Sequence, residues 1–201
     1  MGNVPGVKTM PWTSERGTRS PFAVPRGLRG RLAGRLMLRM NRQDEVAELL
    51  DVRPGQAVLE IGYGPGGLVR RLTRTAGRVS GVDPSPEMRD MARGQAPDAD
   101  LRLGTADDTG FGDAEFDRVV TVNTVGLWPS LDGGLDELRR VTRPGGRVVI
   151  AWHGGGRPQR GTRRFRLPDD QLRRIEDGLR RRFSDVTRHE LSDLTAFAAR
   201  R

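Results

Sequence analysis

The segment Glu60-Ile61-Gly62-Tyr63-Gly64-Pro65-Gly66-Gly67 follows directly on the apolar run Ala57–Ile61, and no other stretch limits the fold as tightly. A buried strand that ends in glycines must turn sharply, and it leaves room for a ligand at the N-terminus of the next helix. Asp83 closes the next apolar run, Arg78–Val82, twenty-one residues after Gly62. A carboxylate at that place accepts hydrogen bonds from both hydroxyls of a ribose. Together these features predict an adenosine-type cofactor at the carboxyl edge of a parallel sheet.

The chain around this segment alternates apolar runs with helical patterns, as βα units do. Strands are predicted at Ala57–Ile61, Arg78–Val82, Leu101–Leu103, Arg118–Val122 and Arg147–Trp152. Helices between them are marked by Leu68, Val69 and Leu72, by Met88, Met91 and Ala92 after a capping Ser85, and by Leu131, Leu135, Leu138 and Val141. Pro144-Gly145-Gly146 turns the chain into the fifth strand. Gly154–Pro168 reads as a Gly/Arg-rich loop, and Leu172, Ile175 and Leu179 face inward from a further helix. Val186–Leu191 and Leu194–Ala198, parted by Ser192-Asp193, form a closing hairpin. The fold class is α/β: a Rossmann-like, seven-stranded, mostly parallel sheet with helices on both faces and a C-terminal antiparallel hairpin.

Two regions are expected. Residues 1–40 comprise a Pro-rich flexible arm (1–25) and a basic amphipathic helix in which Leu28, Leu32, Leu36 and Met40 recur every fourth residue. Residues 41–201 form the ligand-binding domain. The basic helix has three readings: a lid over the pocket, a membrane-surface helix, or an RNA-facing arm. The lid is favoured, because a regular leucine stripe must be buried somewhere.

The formal net charge of +9 suggests a polyanion partner until it is mapped. Residues 1–50 hold nine basic and four acidic side chains, residues 157–201 thirteen and seven, and residues 51–156 thirteen and fifteen. The excess sits on the flanks, and all basic residues but Lys8 are arginine, as GC-rich coding bias produces. Charge alone reports nonspecific attraction, so nucleic acid is not the expected partner. The chain has no cysteine, which excludes disulfides, thiolate zinc sites, iron–sulfur clusters and methylation through a cysteine adduct. No apolar window approaches the roughly eighteen residues of a membrane span, and no address is legible, so the cytoplasm is the default compartment.

Gly62, Gly64 and Gly67 also satisfy the dinucleotide pattern G-x-G-x-x-G, a weak signal. Glu60 argues otherwise, since its charge suits an ammonium and would repel a pyrophosphate. No second catalytic domain of the kind a dehydrogenase needs is apparent. The third feature is Arg143-Pro144-Gly145-Gly146 leading into a strand, a helix and the terminal hairpin.

With Val58–Gly66, Gly81-Val82-Asp83-Pro84-Ser85-Pro86-Glu87-Met88, Phe116-Asp117-Arg118-Val119 and Leu138–Gly146, the chain resembles class I S-adenosylmethionine-dependent methyltransferases over residues 41–201. The resemblance is especially to small-molecule enzymes akin to those of quinone biosynthesis. The resemblance implies a 3-2-1-4-5-7-6 sheet and S-adenosyl-L-methionine as cofactor. Its methionine end is expected against Glu60, Gly62 and Gly64, with Tyr63 and Gly66 also binding the cofactor, and its ribose on Asp83. Pro84, Ser85 and Met88 then lie near the adenine. Thr105-Ala106-Asp107 stands where the family usually has acidic or amide, Ala, acidic. The Ala106 amide and Asp107 are therefore the expected adenine partners, with Thr105 a departure. Asn123 is expected near the sulfur. No metal is expected.

Methyl transfer is an in-line displacement at an already activated sulfonium, so alignment does most of the work and no base need be visible. No catalytic residue is assigned. His153, past the fifth strand, is a possible base or a loop histidine; His189 has no role. Trp128 and Trp152 are open to two uses, lining an apolar pocket or core packing, the commoner fate of tryptophan. Asn123-Thr124-Val125-Gly126 lacks the Pro-Pro-aromatic of exocyclic-amine methyltransferases. The reading is methyl transfer to an O, N or C nucleophile of a small-molecule substrate. The alternatives are an RNA or protein methyltransferase docked through its basic flanks, and a cofactor-binding protein without methyl transfer.

Overall fold

The structure is a computed structural model that describes residues 11–13, 43–157 and 162–201. The predicted helix over residues 28–40 and most of the predicted arm lie outside the described residues. In chain order the elements are α1 (Asp44–Leu50), β1 (Ala57–Ile61), α2 (Gly67–Leu72), β2 (Arg78–Asp83), α3 (Pro86–Gln95), β3 (Asp100–Leu103) and β4 (Phe116–Val122). They continue with a 3-10 turn (Val125–Leu127), α4 (Leu131–Val141), β5 (Thr142–His153), a second 3-10 turn (Arg163–Phe165), α5 (Asp169–Arg180), β6 (Ser184–Glu190) and β7 (Leu194–Arg200).

The seven strands form one sheet in the order β3-β2-β1-β4-β5-β7-β6. β1 pairs in parallel with β2 and β4, β4 with β5, and β2 with β3, whereas β7 runs antiparallel between β5 and β6. Both faces are covered, so every residue of β1 is buried and the strands read as continuous apolar runs rather than alternating ones. Leu59, Ile61, Val119, Val148 and Ile150 pack with α4 and α5 on one face. Val58, Val79, Val120 and Val149 pack with α1, α2 and α3 on the other. Side-chain alternation along each strand divides the two cores.

β5 starts five residues earlier than its apolar run, at Thr142. Pro144-Gly145-Gly146 does not end the pairing, because the Gly145 N–H donates to the Arg201 carbonyl at 2.6 Å and the Arg201 N–H donates to Gly146 at 3.0 Å. The Phe-Asp and Arg-Pro-Gly-Gly motifs meet at this amino edge of the sheet. Asp117 accepts from the Ala57 N–H at 2.8 Å and from Arg143 at 2.9 Å. These residues brace the edge opposite the carboxyl ends of the parallel strands.

Candidate cofactor site

The carboxyl ends of β1, β2, β3 and β4 converge on one edge, and the predicted residues sit on the loops that leave it. The Gly62 N–H donates to the Val82 carbonyl at 2.7 Å, which extends the β1–β2 ladder one residue past the strand. Gly62 has φ +75°, and a Cβ there would lie 2.2 Å from Cγ2 of Thr124, so the position takes only glycine. Gly66, the N-cap of α2 at φ +86°, meets α3 backbone to backbone: a Cβ would fall 2.7 Å from Cα of Ala92. At Gly64 the same construction meets nothing within 4 Å, so the loop presents an open face there.

Asp83 is the anchor of this loop. One carboxylate oxygen accepts from the Gly64 N–H and the other from the Ser85 N–H, each at 2.9 Å. The side chain is 8% exposed. Burial pushes its carboxyl up, opposed by the N–H donors of Ser85 and Gly64. Each oxygen keeps a second lone pair for a further donor such as a hydroxyl. Ser85 caps α3, its hydroxyl accepting from the Met88 N–H at 3.3 Å, and Met88 is buried beneath. Pro84 is exposed between them.

Glu60 lies at the end of β1, 1% exposed. Burial is the main force holding its carboxyl well above the usual carboxylate range, with the neighbouring charge of Asp83 adding to it and the Val69 N–H opposing. Its Oε2 is buried with no hydrogen-bond partner. A buried carboxylate left in this state is costly unless a cation or donor completes it. Two buried acids side by side also repel, which favours a cationic group between loop and strand.

Tyr63 differs from its neighbours. Its ring packs beneath β2, where a Cβ on Gly81 would meet it at 2.6 Å, and its hydroxyl donates to the Arg102 carbonyl on β3 at 3.1 Å. Its side chain therefore tethers the loop to β3, leaving the backbone of Tyr63 on the loop. After β3 the Gly104 N–H donates to the Asp83 carbonyl at 3.3 Å, and the Thr105 N–H to Asp108 at 3.0 Å. This turn exposes Thr105 and Asp107 and buries Ala106. Asn123 follows β4 at φ +58°, a left-handed conformation that Asn tolerates better than most residues. Its Oδ1 is buried without a partner.

The seven glycine, acidic and amide positions Glu60, Gly62, Gly64, Gly66, Asp83, Asp107 and Asn123 thus lie at the ends of β1 and β2 and on the loops that follow β1, β3 and β4 along one sheet edge. Trp128 and Trp152 are both buried; Trp128 donates to Oγ1 of Thr124 at 3.1 Å and Trp152 to the Phe165 carbonyl at 2.6 Å. His153, at the end of β5, has its ring centroid 5.7 Å from Trp152 and 5.6 Å from Phe165. Burial lowers its pKa to about 4 against the opposing charge of Asp193. His189 bonds Thr187 on β6, away from this edge. Sequence reasoning passed over Trp12 and Thr13, which dock on the turn after β4 with contacts 113 residues apart along the chain. Among the described residues, no group of three or more His, Cys, Asp and Glu is placed to hold a metal, and no helix is long and apolar enough to cross a membrane.

Residues 59–150, which run from β1 into β5 and contain all of these loops but the N-terminal contact, match the methyltransferase domain family. Over this segment, a little under half of the chain, the protein is similar to S-adenosylmethionine-dependent methyltransferases. The demethylmenaquinone methyltransferase of Tropheryma whipplei (strain Twist) is 35% identical to this chain over 106 residues, covering 51% of this chain and 44% of that protein. The chain therefore spans less than half the length of this relative. Among solved structures, a putative S-adenosyl-L-methionine-dependent methyltransferase from Methanococcus maripaludis superposes with a TM-score of 0.72 at 14% identity, covering 86% of this chain and 91% of that one. Geranyl diphosphate C-methyltransferase from Streptomyces coelicolor A3(2), in complex with S-adenosyl-L-homocysteine, gives 0.62 at 15% identity, covering 80% and 76%. Likeness at such identity establishes the fold. S-adenosylmethionine is the cofactor of the methyltransferase family.

Proposed function

We propose that this chain transfers the methyl group of S-adenosylmethionine to an O, N or C nucleophile of a small molecule. The orphaned Oε2 of Glu60 carries the reading. It is a buried carboxylate oxygen with no donor beside a glycine loop, and the methionine ammonium supplies both the charge and the hydrogen bond that it lacks. A pyrophosphate in the same place would meet two buried acids, Glu60 and Asp83.

Asp83 then receives the ribose hydroxyls on the lone pairs left free by Gly64 and Ser85. The loop backbone at Gly62, Tyr63, Gly64 and Gly66 follows the methionine end. Pro84, Ser85, Met88, Thr105, the Ala106 amide and Asp107 surround the adenine. Asn123 supplies its Oδ1 near the sulfonium, whose positive charge an amide oxygen favours. When bound, the cofactor presents a methyl carbon already activated by the sulfonium, and the chain's residues align it and exclude water.

Small-molecule acceptors are supported by a demethylmenaquinone methyltransferase among the relatives; Trp128 and Trp152 are core residues and add nothing to it. His153 is held neutral at physiological pH, as a proton acceptor must be, although its pKa of about 4 makes it a weak base. The test is transfer of radiolabelled methyl from S-adenosylmethionine to a panel of quinols, phenols and amines at low and high salt. Turnover insensitive to salt supports a small acceptor. Turnover only on RNA or protein, falling steeply with salt, refutes it.

A further inference from the structure

The turn after β4 is a single 3-10 turn, Val125–Leu127, an element with poor hydrogen-bond geometry and little stability of its own. Three carbonyls of this segment are satisfied by the N-terminal residues. The Trp12 indole N–H donates to Val125 at 2.7 Å, the Thr13 hydroxyl to Gly126 at 2.7 Å, and the Trp12 backbone N–H to Trp128 at 3.1 Å. The guanidinium of Arg174, on α5, lies 5.1 Å above the Trp12 ring, and Thr13 is buried. The clasp thus closes on the turn from two sides.

That turn leans on the cofactor loop. Trp128 donates to Oγ1 of Thr124, and Oγ1 of Thr124 also bonds Oγ1 of Thr121 on β4. The methyl of Thr124 fills the space against Gly62, so closely that a Cβ there has no room. Asn123, at φ +58° with a buried unpartnered Oδ1, is the residue just before Thr124. A chain of contacts therefore runs from Trp12 through the turn to Thr124 and Gly62, with Asn123 next to Thr124 in sequence.

We propose that Trp12 is a positioning residue for the cofactor site, acting through the Val125–Leu127 turn and Thr124, so that docking of Trp12–Thr13 and binding of the cofactor favour one another. The inference rests on the cofactor reading given above. The linkage is reciprocal: whatever affinity the clasp adds to the cofactor, the cofactor adds to the clasp. Trp12 itself need not touch the ligand.

The test is calorimetric titration with S-adenosylhomocysteine of the full chain and of Trp12→Ala, Thr13→Val, Thr124→Val and the Trp12→Ala/Thr124→Val pair, with unliganded thermal midpoints alongside. Trp12→Ala is expected to raise Kd about fivefold to tenfold, within the usual range of such couplings. Thr13→Val, which keeps shape and drops one hydroxyl, shifts it the same way by less. The double variant falls short of the product of the singles, because both act along one path. Trp12 is the one partly buried tryptophan of the three, so ligand should also reduce acrylamide quenching of the wild type. A lowered midpoint with Kd unchanged in both Trp12→Ala and Thr13→Val overturns the inference and leaves a purely structural clasp. Effects that multiply in the pair overturn it too. Should Trp12→Ala fail to fold, Thr13→Val and the quenching measurement decide alone. Absence of binding by the wild type brings down the cofactor reading, and this inference with it.

Discussion

Substituting Gly62 by alanine imposes two separate penalties that a second substitution can pull apart. The backbone there sits at φ +75°, where an L side chain costs about 1–2 kcal/mol. The new Cβ would also lie 2.2 Å from Cγ2 of Thr124, and overpacking a filled site costs about 1–3 kcal/mol. Gly62→Ala is thus expected to lower stability by about 2–5 kcal/mol. Thr124→Ser deletes the offending methyl and keeps Oγ1 for Trp128. What remains of residue 124 lies at 3.0 and 3.2 Å from the new Cβ, tight contacts that a shift of a few tenths of an ångström relieves. Urea denaturation of the wild type, both singles and the double should therefore give a favourable coupling of about 1–3 kcal/mol, the steric share, with the conformational share persisting in the double. Additive penalties would refute the close packing of Thr124 on the loop. A neutral Gly62→Ala would refute the strained turn as well.

Asp83→Ala removes a carboxylate that organises Gly64 and Ser85, and should weaken S-adenosylhomocysteine binding by about 1.5–3 kcal/mol in calorimetry; an unchanged Kd sinks the ribose assignment. Glu60 ionises only well above its ordinary pKa in the folded chain, so its contribution to stability is whole below the unfolded pKa and is lost as pH rises through the folded value. Glu60→Gln should accordingly unfold at higher temperature than the unliganded wild type at pH 7, with the gain fading toward pH 4, while binding cofactor less tightly; a destabilised Gln variant at pH 7 contradicts the upward shift of the buried carboxyl. His153, depressed to about 4, contributes stability above its unfolded pKa near 6.5 that is lost as pH falls through the folded value. His153→Gln should remove that part of the acid loss, read as a narrowing stability difference between pH 6.5 and 4; parallel pH profiles would show that the imidazole is not held neutral.

The strands and the loop were legible because their signals are local, whereas the sheet order came only with the family resemblance. An apolar run, a glycine turn and a carboxylate at the end of the next run are fixed by neighbours in sequence, and helices on both faces follow from strands without polar alternation. Pro144-Gly145-Gly146 misled at the start of β5, since it reads as a turn and the pairing that carries the strand through it comes from Arg201, at the far end of the chain. The Trp12 clasp left no trace because its partners are backbone carbonyls, which any residue presents, 113 positions away. Tyr63 shows the same limit within the motif: its place in the loop was readable, but its hydroxyl bond to Arg102 depends on β3 lying beside β2. Phe116-Asp117 and Arg143-Pro144-Gly145-Gly146 served as marks of family, and only their geometry shows that they brace the opposite edge.

The central claim is that the buried acids and the glycine loop hold a sulfonium nucleoside rather than a dinucleotide. Titrating the protein calorimetrically with S-adenosylmethionine and S-adenosylhomocysteine, with NAD as control, tests it directly. The account predicts saturable binding of both sulfur compounds with Kd on the order of micromolar, about −8 kcal/mol, and no heat with NAD. Binding of NAD, or of none of the three, would contradict it.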